Sequence, residues 1–314
     1  MSVDGKKVLV TGATGLVGSA LCRELARRGA KVVALVRSPE KAKARLPAEV
    51  ETVVGDVRAR IDFGGEVDFV VHAAGPTASS DFVERPVEVI DAVFGGARNV
   101  LDFALDRKVE GLVFLSTMEV YGLTDSENVA EDGYASLDTM CARSSYSEAK
   151  RLAECLFASA AKERGLRAMV ARLTQTFGAG VARDDRRVFA EFARAAVEGR
   201  DIVLKSSGAT ARCYCALPDA VSAIIAILER GEAGVAYNVA NPSTFCTIRE
   251  MAELVAREFG DGRCRVVVGG DSAAERGYLP EFKMNLNVDR LKALGWSPAM
   301  GLKEMFGQLL DGWR

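Results

Sequence analysis

"VLVTGATGLVGSAL", Val8–Leu21, decides the fold. A β-branched run ends at Val10, a helical pattern begins at Leu16, and Gly12, Gly15 and Gly18 fall between and just beyond. Glycine permits the tight turn, lets backbone approach a pyrophosphate, and allows close helix-to-strand packing. The helix that follows offers unpaired N–H groups to an anion. The stretch therefore reads as a strand, a phosphate-binding turn and a helix. Gly12, Thr14, Gly15, Leu16 and Val17 are the candidate dinucleotide contacts.

Outward from this loop, short apolar strands alternate with helical patterns. "KVVALV" (Lys31–Val36), "VETVV" (Val50–Val54), "VDFVVHAAG", "GLVFLS" and "RAMVARL" are the strands. The intervening helices are expected over Leu16–Arg28, Pro86–Leu105 and Tyr146–Arg164. Strands apolar throughout imply a sheet covered on both faces, and alternation with helices implies that it is parallel. The fold class is α/β, a doubly wound Rossmann sheet, with ligands at the carboxyl ends of the strands. After Arg172 the rhythm loosens into shorter pieces, which predicts a smaller, discontinuous α/β substrate lobe. Residues 1–172 and 217–238 are assigned to the dinucleotide-binding domain, and 173–216 with 239–314 to the lobe.

Composition narrows the function. The chain has 314 residues, half of them hydrophobic, with a net charge of −2, so neither nucleic acid nor an anionic membrane is an expected partner. No apolar run approaches the roughly 20 residues of a membrane span. Seven scattered cysteines lack metal-ligand spacing, which suggests a reduced, cytoplasmic protein with no metal site. The single histidine, His72, ends an apolar strand and is read as core.

The second strand bears on cofactor choice. An acid at its end would take a ribose 2′-hydroxyl, whereas an arginine accommodates a 2′-phosphate. Here Arg37 stands at that end, which favours NADP over NAD, although an arginine there can also be a solvated strand end. Asp56, in "GDV" after the third strand, is either an adenine acceptor or a loop cap.

The chemistry concentrates in "LSTMEVYG" (Leu115–Gly122) and "SSYSEAK" (Ser144–Lys150). Tyr146 and Lys150 are four apart on a helix and so share a face. A tyrosine with a pKa near 10 is about 0.1% ionised at pH 7. Lowering it by about three units takes roughly 4 kcal/mol, which a neighbouring ammonium can contribute. Tyr146 is then a usable proton carrier, and Thr117 a hydroxyl at the strand tip beside it.

Taken in order, "TGATGLVG", "GDV", "VVHAAG", "STMEVYG" and "SSYSEAK" resemble the extended short-chain dehydrogenase/reductase family. Within it they are similar to the epimerase/dehydratase branch that acts on nucleotide-linked sugars. "ARLTQTFGAGV", "ATARCYCALPDAV", "AYNVAN" and "LKALGWSP" extend the resemblance over nearly the whole chain. It implies that Thr117 holds the reacting sugar oxygen, that Tyr146 is its acid/base, and that Lys150 binds the nicotinamide ribose. It further implies cofactor contacts at Val57, Ala73, Ala74, Gly75 and Leu173. Met118, Glu119, Gln175, Arg212 and Arg276 are the implied substrate contacts, and the two long helices imply a homodimer.

The family's 4,6-dehydratases place an acid and a base after the Ser/Thr, to expel the 6-hydroxyl. Here Met118 occupies the acid's position and cannot protonate a leaving hydroxide, while Glu119 remains. The expected function is therefore an NAD(P)-dependent epimerase working by hydride transfer at C4 of a nucleotide-activated sugar. An NADPH-dependent 4-keto-sugar or other carbonyl reductase is the alternative. A dehydratase, a decarboxylase and a non-catalytic dinucleotide sensor rank below both.

Overall fold

The computed structural model describes residues 1–269 and 281–314; Arg276 lies outside them. In chain order the first half contains β1 (Lys7–Thr11), α1 (Leu16–Arg27), β2 (Lys31–Val36), α2 (Pro39–Arg45), β3 (Glu51–Val54) and β4 (Phe69–His72). Two short helices, α3 (Asp81–Glu84) and α4 (Pro86–Ile90), precede α5 (Gly96–Arg107), β5 (Gly111–Thr117) and β6 (Ser126–Val129). Then come α6 (Ser145–Arg164), β7 (Ala168–Leu173), β8 (Gln175–Phe177), α7 (Val188–Val197), β9 (Ile202–Leu204), β10 (Ala211–Ala216) and α8 (Leu217–Arg230). The chain closes with β11 (Ala236–Val239), β12 (Asn241–Thr247), α9 (Ile248–Phe259), β13 (Val266–Val268), β14 (Lys283–Leu286), α10 (Asp289–Lys292) and α11 (Leu302–Asp311).

The expected parallel sheet is present, with seven strands in the order β11-β7-β5-β4-β1-β2-β3. Val8 pairs with Val32 on one side and with Phe69 on the other. Both faces are covered, which is why the strands carry apolar residues on both. Leu21, Leu25, Ile224 and Leu228 pack one face from α1 and α8. Val100, Ala104, Ala153 and Phe157 pack the other from α5 and α6. After β3 the chain crosses β1 to form β4, so the strand order reverses between β1 and β4 and opens a crevice at their carboxyl ends.

Two departures from the sequence reading matter. The helix expected from Pro86 to Leu105 is broken by a π-turn over Asp91–Gly95. The paired Gly95 and Gly96 give the backbone room for that wider turn, and a Cβ on Gly96 would stand 3.0 Å from the Val57 side chain. The second departure concerns the lobe. Its main sheet, β12-β10-β14-β6 with β8 beside β10, takes in Ser126–Val129 from the stretch assigned to the dinucleotide-binding domain. Met284 pairs with Ser126, so a loop leaving the β5 tip crosses into the lobe. Strand pairing over such a sequence distance leaves no periodic trace in either partner.

Candidate active site

The glycine loop has the shape its sequence implies. Gly12 adopts φ 67°. A Cβ there would lie 2.6 Å from the Ala73 carbonyl and the Ala74 nitrogen. A Cβ on Gly18 would come within 2.2 Å of the Gly12 oxygen. No side chain caps α1, so its first N–H groups are left for a ligand at the β1/β4 crevice. Leu16 and Val17 begin that helix half-buried, as Thr14 is in the turn before it. Backbone, free donors and the absence of side chains fit a dinucleotide pyrophosphate.

Arg37 is exposed at the end of β2. Asp56 stands beyond β3, where Arg58 grips it: Nη2 donates to the carboxylate at 2.7 Å and the Arg58 backbone N–H at 2.9 Å. The Arg58 hydrogen bond, helped by the Arg37 charge, holds the Asp56 carboxyl below its ordinary pKa. Val57 accepts from Asn99 Nδ2 at 2.7 Å, which anchors this loop to α5.

At the tip of β5, Thr117 turns the chain into a 3-10 turn over Met118–Tyr121 and accepts the Glu119 N–H at 3.3 Å. Helix α6 runs back past that tip. It places Tyr146 beside Thr117 and Lys150 below, with Lys150 Nζ donating to the Leu115 carbonyl at 2.6 Å. A Cβ on Gly75 would stand 3.9 Å from that ammonium, so the "AAG" tip of β4 closes on Lys150. Leu173, at the end of β7, pairs with Thr117.

The electrostatics differ from those expected of the Tyr-Lys pair. Burial raises the Tyr146 phenol above its ordinary pKa and the Glu119 charge adds to this, while hydrogen bonding from Thr117 and the Arg143 charge oppose it. Lys150 points to the Leu115 carbonyl and stands 4.4 Å over the Phe114 ring. Burial lowers its pKa to about 8, against a smaller rise from Glu154. The tyrosine is thus a neutral, desolvated hydroxyl with its ammonium one turn away.

Several contributors escaped the sequence reading. Phe82 of α3 stacks on Tyr146, with centroids 4.2 Å apart and planes 5° from parallel. Arg143, three residues before Tyr146, donates from Nη2 to Glu119 at 2.9 Å. Glu154 lies one turn beyond Lys150, in a buried pair with Arg172 at 2.7 Å, and accepts from Ser116. Arg172 also donates to Tyr121 at 3.0 Å and Tyr134 at 2.6 Å, tying β7 to the β5 tip. The spacing Lys150 to Glu154 repeats the four-residue step from Tyr146, which was the available signal. Nothing local marked Phe82.

The implied substrate residues separate into two groups. Met118 is 4% exposed and packs with Tyr121, Val129, Cys213 and Met284, its sulfur 3.3 Å from the Thr174 hydroxyl. Glu119 is half-buried beside Arg143. Gln175 and Arg212 are half-buried on β8 and β10, where Gln175 pairs with Tyr214. Arg212 lies 5.1 Å over the Phe282 ring. His72 is core, as expected: its Nδ1 and the Thr11 hydroxyl are 2.8 Å apart, and burial with the Lys150 charge lowers its pKa to about 3. All seven cysteines are free. No described helix is long and apolar enough to cross a membrane.

Relatives and structures of the same shape agree with this geometry. Residues 8–240 match the model of the NAD dependent epimerase/dehydratase family. The chain is 28% identical over 312 residues to UDP-glucuronic acid decarboxylase 1 of Danio rerio, across 96% of this chain and 71% of that protein. It is 30% identical over 257 residues to UDP-N-acetyl-alpha-D-glucosaminuronate decarboxylase of Bacillus cytotoxicus, across 79% and 78% of the two chains. The crystal structure of a UDP-glucose 4-epimerase from Thermotoga maritima has the same fold, with a TM-score of 0.87, 20% identity and 98% of both chains covered. By sequence and by the architecture of its crevice, the chain belongs to the NAD-dependent epimerase/dehydratase family.

Proposed function

We propose that this protein decarboxylates a nucleotide-linked hexuronic acid by way of its 4-ketone. The observation that carries the reading is the β5 tip: Thr117 and Tyr146 stand together there, and the next residue, Met118, is buried among apolar side chains. The relatives reported above are decarboxylases of nucleotide-linked uronic acids, and this moves the reading from the 4-epimerase expected of the sequence to decarboxylation.

When bound, the nicotinamide supplies the acceptor, and later the donor, of the C4 hydride. Thr117 holds the 4-oxygen; Tyr146, a neutral hydroxyl in the cofactor-free protein, must first release its own proton, and as the phenolate it takes the proton of the 4-hydroxyl as the alcohol becomes a ketone. That ketone is β to the C6 carboxylate. The C5–C6 bond can then break with its electron pair passing into an enolate at O4, and CO2 leaves. C5 takes a proton from solvent, and Tyr146 returns the hydroxyl's proton to O4 when the ketone is reduced again. The net change is the loss of CO2 and the uptake of one proton. No step requires an acid at position 118. Elimination of a hydroxide would require one, so the methionine is compatible with this route and not with standard dehydration.

The test is incubation of the purified protein with UDP-glucuronic acid, followed by mass spectrometry of the sugar nucleotide. A product lighter by one CO2 is expected without net NAD(P)H consumption. An isomer of unchanged mass would restore the 4-epimerase. Stoichiometric NADPH consumption with a 4-keto sugar would establish the reductase instead, a reading that exposed Arg37 favours.

A further inference from the structure

We propose that Phe82 is a positioning residue for the reaction: lying flat on Tyr146, it is the wall that keeps the phenol oxygen within reach of Thr117 and of the substrate hydroxyl. The inference rests on the reading above only in taking Tyr146 as the proton carrier. The decarboxylase, the epimerase and the reductase share that role.

The short helix α3 gives the first reason. Its four residues are too few to hold a helix by themselves, so packing must do it. Phe82 is the one buried residue of α3, whereas Val83 beside it is 56% exposed. The Phe82 backbone is fixed from the start of α6, where the buried Ser145 hydroxyl donates to its carbonyl at 3.1 Å. Its ring stacks on Tyr146, and the Arg143 guanidinium carbon lies 4.9 Å from the ring centre. Arg143, Ser145 and Tyr146, all at or just before the start of α6, therefore hold one phenylalanine against the phenol.

The second reason is mechanical. A tyrosine oxygen lies on the axis of its Cβ–Cγ bond, so ring rotation leaves it in place and only movement of the whole ring displaces it. Movement toward Phe82 closes on atoms already in contact, and sliding or tilting gives up the stacked face. A misplacement of about 1 Å can cost a reaction about 100-fold. The hydroxyl's other restraint is its bond with Thr117. The charged groups nearby are engaged elsewhere: Lys150 with the Leu115 carbonyl, Arg143 and Glu119 with each other.

The experiment compares Phe82→Tyr, Phe82→Leu and Phe82→Ala with the parent as cofactor-loaded proteins. The tyrosine keeps the flat face, the leucine keeps most of the apolar volume without it, and the alanine removes both. With UDP-glucuronic acid, the single-turnover rate of Phe82→Ala should fall about 10- to 100-fold. Phe82→Leu should fall less, and Phe82→Tyr should stay close to the parent. Half-saturation by substrate and affinity for NAD(H) should remain within about threefold, because the loss lies in the placement of the proton carrier. Nuclear magnetic resonance of isotope-labelled tyrosine reads the same ring without turnover, its signal assigned by its loss in Tyr146→Phe. That signal should shift in Phe82→Leu and Phe82→Ala. In the alanine variant the phenol should ionise at lower pH, toward its ordinary value of about 10, because burial is the largest cause holding it up. If the alanine variant does not fold, the leucine variant supplies the comparison.

Parental rates in the folded leucine and alanine variants would overturn the assignment. So would a loss that Phe82→Tyr shares, or one matched by equal losses of substrate and cofactor affinity, which would make Phe82 an ordinary support of the fold. An unmoved Tyr146 signal in both variants overturns it whether or not the sugar is turned over. The two readings fail separately. CO2 release at parental rates by the variants refutes this inference alone. A shifted Tyr146 signal with no CO2 released by the parent refutes only the proposed reaction.

Discussion

Phe82 lies flat on Tyr146, ring against ring at 4.2 Å, although the two are 64 residues apart and belong to different helices. The contact helps to keep the phenol out of water, and burial is the largest cause raising its pKa. Tyr146→Phe preserves the ring and this stack while deleting the proton carrier. Turnover is expected to fall by about 10² or more, the ordinary scale of acid/base catalysis. Cofactor affinity should survive, as fluorescence titration with NAD(H) can check. An active Phe variant would move the acid/base role elsewhere.

Arg37 governs the choice of dinucleotide if it meets a 2′-phosphate. Arg37→Asp then replaces attraction by repulsion and should weaken NADP by about 10- to 100-fold, while improving NAD. Binding isotherms for both cofactors decide the matter. Two unchanged affinities would mean that the exposed guanidinium simply points into solvent.

His72 gives a pH dependence with a definite sign. Its folded-state pKa is about 3, against an ordinary value of 6.5. Between those values the unfolded chain binds a proton that the native protein excludes, so stability drops as pH falls through that window. At about pH 4.5, two units below the unfolded value, the loss is about 2.7 kcal/mol. Urea unfolding at about pH 7 and pH 4.5 should therefore show a smaller acid loss in His72→Asn, by roughly that amount. Parallel pH profiles for the two proteins would place the histidine's titration outside the folding equilibrium.

A homodimer is expected through α4, α5 and α6. Val87 is 69% exposed and Leu152 is 50% exposed, and Val83 and Ile90, near Val87 in sequence, are exposed as well. Apolar side chains left in water on helices of this kind favour a covering partner. Light scattering at micromolar concentration should give twice the chain mass, and Leu152→Glu should shift it toward the monomer. A monomeric parent protein would refute the arrangement.

Met118 allows one further check. A neutral nucleotide-hexose should yield no 4-keto-6-deoxy product, because the position after Thr117 holds a buried thioether with no proton to give. Loss of water detected by mass spectrometry would show that another residue supplies that proton.

The sequence by itself determined the parts of this protein whose signals are local. Glycine at positions 12, 15 and 18, apolar strands and the four-residue step from Tyr146 to Lys150 express backbone sterics and helical period, which a linear reading contains. They were enough for the parallel sheet and the glycine loop, and they singled out Thr117, Tyr146 and Lys150, which the structure brings to one place. Tertiary structure decided whatever depends on residues distant in the chain. Phe82 on Tyr146 and Arg172 on Glu154 are contacts between separate elements, and the pairing of β6 with β14 joins segments over 150 residues apart. So does the state of the Tyr146 proton. The spacing to Lys150 suggested a lowered pKa, but burial raises it, and burial is a property of the packed molecule rather than of any one stretch of chain.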